Sequence, residues 1–496
     1  MQSSLVIGSG FGGIASALRL RSLGFEVHVI ERQDDLGGRA RVFEVDGYRH
    51  DAGPTVITAP FLFDELFDLF GERREDYVEF RELKPWYRFI FPDGDHFDYG
   101  GTLEDTLAEI RRIEPKDQLG YQSLINHSKE LFDIGFSRLA HQPFHEIKTM
   151  ARQIPYLAKL RSDRSVWDMV CKYLSHDKLR QAFSIQPLLV GGSPFDTTSI
   201  YGLIHYLERA YGICFAMGGT GALVEQLKQL MLRQGITIQT GATVSQILTS
   251  QTKVSGVRLE SGDVITADYT VFNGDPMHLY RELLPRKDIP FATKMKRDFS
   301  KLSMGLYVLF FGTDRQYPDV AHHTIWMGQR YKDLLDDIFH RQILADDFSL
   351  YIHRPTATDP SFAPTGHDSF YVLAPVPHQG ACIDWSIEEP KLRARIIDAL
   401  DKTILPDLKK HLRAPFSMTP ENFATDYLSY QGAGFSIAPL FTQSAWFRFH
   451  NKAEGFENLF LAGAGTHPGA GMPGVISSAK VVEQLVREAT IKATFV

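Results

Sequence analysis

The chain has 496 residues, 44% hydrophobic and 23% charged, with a formal net charge of −7. That length implies two or three domains; the negative balance without a long basic tract argues against nucleic acid as a partner; and three scattered cysteines, Cys171, Cys214 and Cys382, exclude a disulfide framework and a cysteine metal site. No apolar run reaches the roughly 18 residues of a bilayer-spanning helix, and residues 1–4 lack the basic start of a secretory signal, so a soluble or membrane-surface protein is expected.

The first predicted element is a buried strand, Leu5-Val6-Ile7, followed by Gly8, Gly10 and Gly13 in G-x-G-x-x-G spacing, with Gly12 among them. Ile14, Ala17, Leu18 and Leu20 then recur at helical intervals until Gly24, and Val27, Val29 and Ile30 form a second strand ending at Glu31. Strand, glycine turn, helix and an acid at the next strand end, near the roughly 20-residue offset from the first glycine, form a dinucleotide site. The glycines let backbone approach a pyrophosphate at a helix N-terminus, and Glu31 binds a ribose hydroxyl while repelling a 2′-phosphate. Gly37, Gly38 and Arg39 resemble the second fingerprint of FAD proteins of the glutathione-reductase type, with Arg39 offered to a phosphate.

Residues 42–51 read as strand, turn, strand, and Gly53, Pro54 and Thr55 as a turn that can lie against a flat ring. Residues 61–70 suggest an aromatic helix and 86–99 a hairpin turning at Pro92-Asp93-Gly94. From 102 to 234 the pattern is helical. Within it, 145–164 is basic and amphipathic, carrying Lys148, Arg152, Lys159, Arg161 and Arg164, which suits either an anionic membrane face or a solvated helix; Pro155 is expected to break it. Strands follow over 236–239, 242–247, 254–259, 264–267 and 271–273, then a Phe-, Tyr- and His-rich region over 286–424 that mixes strands and helices. In 458–488 a strand, Gly463, Gly465, Gly469, Gly471 and Gly474, and a helix starting near Pro473 offer a second helix N-terminus, here to the pyrimidine edge of a flavin. No H-E-x-x-H occurs. His322 and His323 are adjacent and on a strand would face opposite sides, so no metal site is expected.

The segments L-G-G-R-A, D-A-G-P-T-V-I-T, Y-V-L-A-P-V-P-H and G-A-G-T-H-P-G-A-G-M-P-G-V-I carry a nearly end-to-end resemblance to the bacterial phytoene desaturases of the carotenoid pathway. The resemblance implies an α/β fold: a Rossmann-type FAD-binding domain, glutathione-reductase- and monoamine-oxidase-like, with a substrate domain of mixed β-sheet and helices. The FAD domain is expected to be discontinuous (1–80, 216–285 and 425–496), and the substrate-binding, membrane-associating part to comprise 81–215 and 286–424. The implied reaction is successive dehydrogenation of 15-cis-phytoene through phytofluene, zeta-carotene and neurosporene to lycopene, by hydride transfer to non-covalent FAD and loss of a proton. Electrons then pass to oxygen or a quinone, and the protein sits in the cytoplasm, peripheral on the cell membrane. The residues expected to hold FAD are Gly8, Gly10, Gly12, Gly13, Glu31, Arg32, Gly38, Arg39, Ala40, Gly53, Pro54, Thr55, Val244, Asp275, Gly463, Ala464, Gly465, Gly471, Met472 and Val475. The base is not evident; Arg152, His353, His378 and Asp384 are the polar residues in family-like stretches. The alternatives are a carotenoid isomerase, a desaturase of another polyene (dehydrosqualene or neurosporene), and a prenyl-lipid escort protein that binds no flavin.

Overall fold

Residues 5–7 are apolar on both sides because the strand they form is covered on both faces. In the computed structural model, which describes residues 2–494, Ser3–Ile7 is the central strand of a five-stranded sheet. Its neighbours are Glu26–Ile30 and then Thr237–Gln239 on one side, and Tyr269–Phe272 and then Leu459–Leu461 on the other. Every pairing is parallel. Parallel strands need crossovers, and the crossover helix Phe11–Ser22 packs against Gly219–Arg233 and the C-terminal helix Met472–Thr494. The beginning, the middle and the end of the chain therefore meet in one layered unit. A three-stranded antiparallel sheet (Val244–Ser250, Lys253–Leu259, Val264–Thr266) adjoins it.

A seven-stranded mixed sheet forms the other half, ordered Leu412–Met418, Gly305–Thr313, Asp368–Val376, Leu350–His353, His323–Trp326, Tyr87–Ile90 and His96–Tyr99. Gly305–Thr313 is buried at every position, which its sequence G-L-Y-V-L-F-F-G-T permits, and it pairs antiparallel with both neighbours. The helices Leu103–Ile113, Asp117–Ile134, Val166–Tyr173 and Leu203–Tyr211 cover this region and share its core.

One expectation changes. Ile147–Lys159 is one helix that runs through Pro155, losing the backbone donor that proline lacks without ending there. Within the mixed region, a short α-helix, Tyr331–Asp336, is continued by a π-turn over Asp337–Arg341. Leu412–Met418, unmarked in the sequence because Pro415 interrupts it, is an edge strand, where a missing donor costs no ladder bond. Among the described residues, no helix is long and apolar enough to cross a membrane.

Candidate active site

The strand Ser3–Ile7 ends in a turn that only glycine permits. Gly8 has φ +92°, and a Cβ at Gly13 would lie 2.0 Å from the Gly8 carbonyl oxygen. The following helix has Gly10 at its N-cap with no side-chain cap, so its first-turn N–H groups are left for a ligand beside Gly8, Ser9 and Gly10 in the cavity wall. Glu31 is buried at the end of its strand. Its Oε2 accepts from the Ser9 amide at 2.8 Å and the Ser9 hydroxyl at 2.6 Å, and its Oε1 accepts from the Gln33 amide at 2.9 Å. One carboxylate thus ties the turn to the strand end while lining the cavity.

The second glycine pair packs on the first, since the Gly37 amide donates to the Ser9 carbonyl at 3.0 Å. Gly38, Arg39 and Ala40 form a 3-10 turn at the cavity wall. Arg39 of this turn has partners in the C-terminal segment. Its guanidinium is buried and donates to the Gly434 carbonyl and the Ser429 hydroxyl, so it joins this turn to the C-terminal segment and only its other N–H groups remain for a phosphate. Arg32 likewise donates to the Thr425 and Asp426 carbonyls. Gly53 is required because a Cβ there would lie 2.2 Å from the Arg39 carbonyl oxygen. Gly53, Pro54 and Thr55 line the cavity, and the Thr55 hydroxyl bonds the Tyr351 hydroxyl at 2.7 Å. Burial pushes the Asp51 carboxyl up to about 6 although it accepts from the Thr220 and Gly221 amides, so the 218–221 glycine segment is held by Asp51.

From the other end of the chain, Gly463, Ala464, Gly465, Gly471, Met472 and Val475 line the same cavity, as do Val244 and Asp275. A Cβ at Gly474 would lie 2.5 Å from the Gly469 carbonyl oxygen, so the last helix can begin only at this tight turn. Asp275 accepts from the Met277 amide, the Tyr430 amide and the Ser436 hydroxyl at 2.8–3.0 Å, fixing the loop around it. Asn273 escaped the sequence reading. Its Nδ2 donates to the Ala462 carbonyl at 3.0 Å, and its side chain fills the space that Cβ atoms at Gly10 and Gly12 would need. Two side-chain-free turns, an uncapped helix N-terminus and a buried acid on one cavity fit a dinucleotide-linked flavin.

The cavity, about 610 Å³, continues away from these turns between apolar walls that include Leu139, Ile185, Leu207, Leu306, Ile325 and Leu334. The four polar candidates lie outside it. Arg152 is exposed on its helix. The His378 Nδ1 accepts from the Gly380 amide at 3.0 Å, and the Asp384 carboxylate accepts from the Ser386 amide at 3.0 Å; both are N-caps. His353 belongs to a buried cluster with His322 and His323, in which one ring nitrogen from each lies within 4.8 Å of the others. The strand begins only at His323, so alternation does not separate the pair and gives no ground against a metal ion. His322 Nε2 and His353 Nε2 are 3.0 Å apart, and His323 Nδ1 is 2.8 Å from the Tyr351 hydroxyl. Burial lowers all three pKa values, His323 to about 3, so the rings are neutral at physiological pH.

The model of the flavin containing amine oxidoreductase family matches residues 11–482. A lycopene-forming phytoene desaturase of Pantoea ananas is 44% identical over 489 residues, covering 98% of this chain and 99% of the relative. A neurosporene-forming phytoene desaturase of Rhodobacter capsulatus is 39% identical over 495 residues, covering 99% and 94%. Among solved structures, an oxidoreductase from Methanosarcina mazei superposes with a TM-score of 0.65 at 16% identity, covering 97% of this chain and 100% of that one, which shows the shared fold.

Proposed function

The chain belongs to the flavin-containing amine oxidoreductase family, and within it we propose an FAD-dependent desaturase that converts 15-cis-phytoene stepwise to lycopene. The observation that carries this reading is one cavity with a nucleotide cradle at one end and an almost wholly apolar extension at the other. When bound, FAD supplies a two-electron acceptor for hydride. The residues that would hold it are the glycines of the two turns, Glu31 at the ribose and the amides at the start of Phe11–Ser22. A hydrocarbon offers no ionisable handle, so the chain recognises it by burying its surface, at about 25 cal/mol per Å². The same walls exclude water from the reacting carbons and hold the polyene in line with the cofactor. We assign 1–80, 216–285 and 425–496 to cofactor binding and the remainder to the substrate.

The substrate must leave a bilayer, and one face of the protein suits that. Ile147 (64% exposed), Phe291 (77%) and Phe299 (74%) stand out on the helices Ile147–Lys159 and Phe291–Phe299, with Phe441 and Phe447 also exposed. Lys296 of the second helix donates to the Trp446 and Arg448 carbonyls, and the turn Ala445–Phe447 contacts the first helix, so the elements that carry these side chains adjoin. Lys148, Arg152, Lys159 and Lys287 are exposed on or beside them, as an anionic membrane surface requires. Met150, Gln153, Phe441 and Ala445 of the same elements line the cavity, so a bilayer docked there faces the substrate site. Oxygen or a quinone as the final electron acceptor is part of this reading.

Incubating the FAD-loaded protein with 15-cis-phytoene in liposomes and chromatographing the products tests it. Lycopene is expected. Accumulation of neurosporene would shorten the reaction series, and unchanged phytoene would refute the reading.

A further inference from the structure

Among the described residues, four acidic ones line the cavity: Glu31, Asp275, Asp426 and Glu208. The first two are fixed by amide and hydroxyl donors in the nucleotide cradle. Asp426 is half-buried beside Arg32, which binds its carbonyl. Glu208 stands apart from all three. It lies on the helix Leu203–Tyr211, whose Leu203, Ile204 and Leu207 form apolar wall, and it is fully buried. The Tyr87 hydroxyl donates a long hydrogen bond to its Oε1 at 3.5 Å, and among the described residues its Oε2 has no hydrogen-bond partner.

The neighbouring cation does not neutralise it. Arg209 lies over the Trp86 ring at 4.2 Å and donates to the Gly101 carbonyl at 3.0 Å, and its charge offsets the effect of burial on the carboxyl only in part. The other polar groups around Glu208 are Tyr87 and Tyr99 from the hairpin, Gln186 from the turn Gln186–Val190 and Tyr121 from the helix Asp117–Ile134. The Tyr87 ring lies 5.8 Å from that of His323, whose Nδ1 is 2.8 Å from the hydroxyl of Tyr351, which holds Thr55 at the flavin end. Glu208 therefore sits in the substrate part of the cavity, next to a short run of rings that leads to the cofactor part.

Resting on the desaturase reading, we propose that Glu208 is the catalytic base that takes the proton lost from the polyene at each desaturation. Two C–H bonds on adjacent carbons break. One hydrogen would leave with its electron pair as hydride, for which FAD, when bound, would be the two-electron acceptor. The other leaves as a proton, its bonding pair becomes the new C=C π bond, and a Glu208 oxygen forms the O–H bond. A carboxylate facing the positive charge left by hydride loss also stabilises it electrostatically, most strongly in a dry site. Burial pushes the resting carboxyl up to about 8, with Gln186, Tyr99, Arg209 and Tyr87 opposing that shift only in part. The active, ionised form therefore grows in as pH rises toward that value.

The test follows anaerobic bleaching of the bound flavin by phytoene in the FAD-loaded protein, across pH. The wild type should bleach faster as pH rises through about 8, Glu208→Gln should bleach about 100-fold more slowly or less with the pH dependence gone, and Glu208→Asp should recover part of the rate. Equal bleaching rates and equal pH profiles in wild type and Glu208→Gln would overturn the assignment while leaving the desaturase reading intact. A wild type that phytoene does not bleach would remove the desaturase reading and this proposal with it. A second measurement needs no variant: in an infrared pH titration of the wild type, a protonated carboxyl band should persist at pH 7 and fade above about 8, whereas its absence at pH 7 would overturn the proposal.

Discussion

A Cβ placed on Gly12 would lie 3.2 Å from Val475 Cγ1 and 3.3 Å from the Gly463 nitrogen, so the first glycine turn and the last helix are in contact. Residues more than 450 positions apart in the chain thus form adjoining walls of one cavity. Asn273, at the end of a third strand, locks the contact by binding the Ala462 carbonyl.

This packing leaves no room at Gly13. The substitution Gly13→Ala would drive a methyl group into the Gly8 carbonyl, a backbone atom that cannot rotate aside. FAD titration followed by flavin absorbance should show affinity weakened about tenfold or more, equivalent to about 1.4 kcal/mol. Wild-type affinity would show that the turn does not contact the cofactor.

Glu31 has two roles that separate experimentally. Glu31→Ala leaves the Ser9 and Gln33 amides without their acceptor, which should cost the apoprotein about 1–3 kcal/mol in urea denaturation. It should also weaken FAD binding, through the lost ribose contact. Reduced stability with unchanged FAD affinity would leave the carboxylate with a purely structural role.

Glu208 makes stability depend on pH with a definite sign. Its folded pKa is raised to about 8 from an ordinary 4.5, so the native state holds a proton that the unfolded chain has released. Its contribution is fully present below about 4.5 and is lost as pH rises through about 8. Glu208→Gln, uncharged throughout, should therefore gain Tm relative to wild type from pH 5 to 9, with no relative gain below that window. A Tm difference independent of pH would contradict the burial of an ionisable carboxyl there.

Membrane docking should require both helices. Replacing Phe291 and Phe299 with serine removes two exposed rings, each contributing about 1.5–3 kcal/mol if buried in lipid. Reversing Lys159 and Arg161 to glutamate removes attraction worth about 1 kcal/mol per charge. Co-sedimentation with anionic liposomes should fall at least tenfold for either pair while bound-flavin absorbance stays unchanged, and high salt should weaken wild-type binding. Undiminished co-sedimentation would place docking elsewhere.

The cofactor end was legible in the sequence because close backbone approach demands glycine, and glycine at fixed spacing next to a strand leaves a readable trace. Gly13, Gly53 and Gly474 each prove to have backbone where a side chain would go, and Gly8 takes a positive φ. Asn273 left no such trace, since its role exists only once strands from three parts of the chain align. His378 and Asp384 drew attention as polar residues in family-like stretches, yet they cap helices, and the Asp384-x-Ser386 start of a long helix was a readable N-cap signal. Glu208 was hidden for the opposite reason. In L-I-H-Y-L-E-R-A-Y a Glu-Arg pair reads as a solvated face, and only the hairpin and helices packed over it turn that face inward.

Hydrogen exchange of the protein with FAD, and then with FAD and phytoene, tests most directly whether one cavity holds both molecules. The account requires FAD to protect the amides of 8–13 and of 463–475 together, and phytoene to add protection over 203–208. Protection by FAD of only one of the two turns would contradict it.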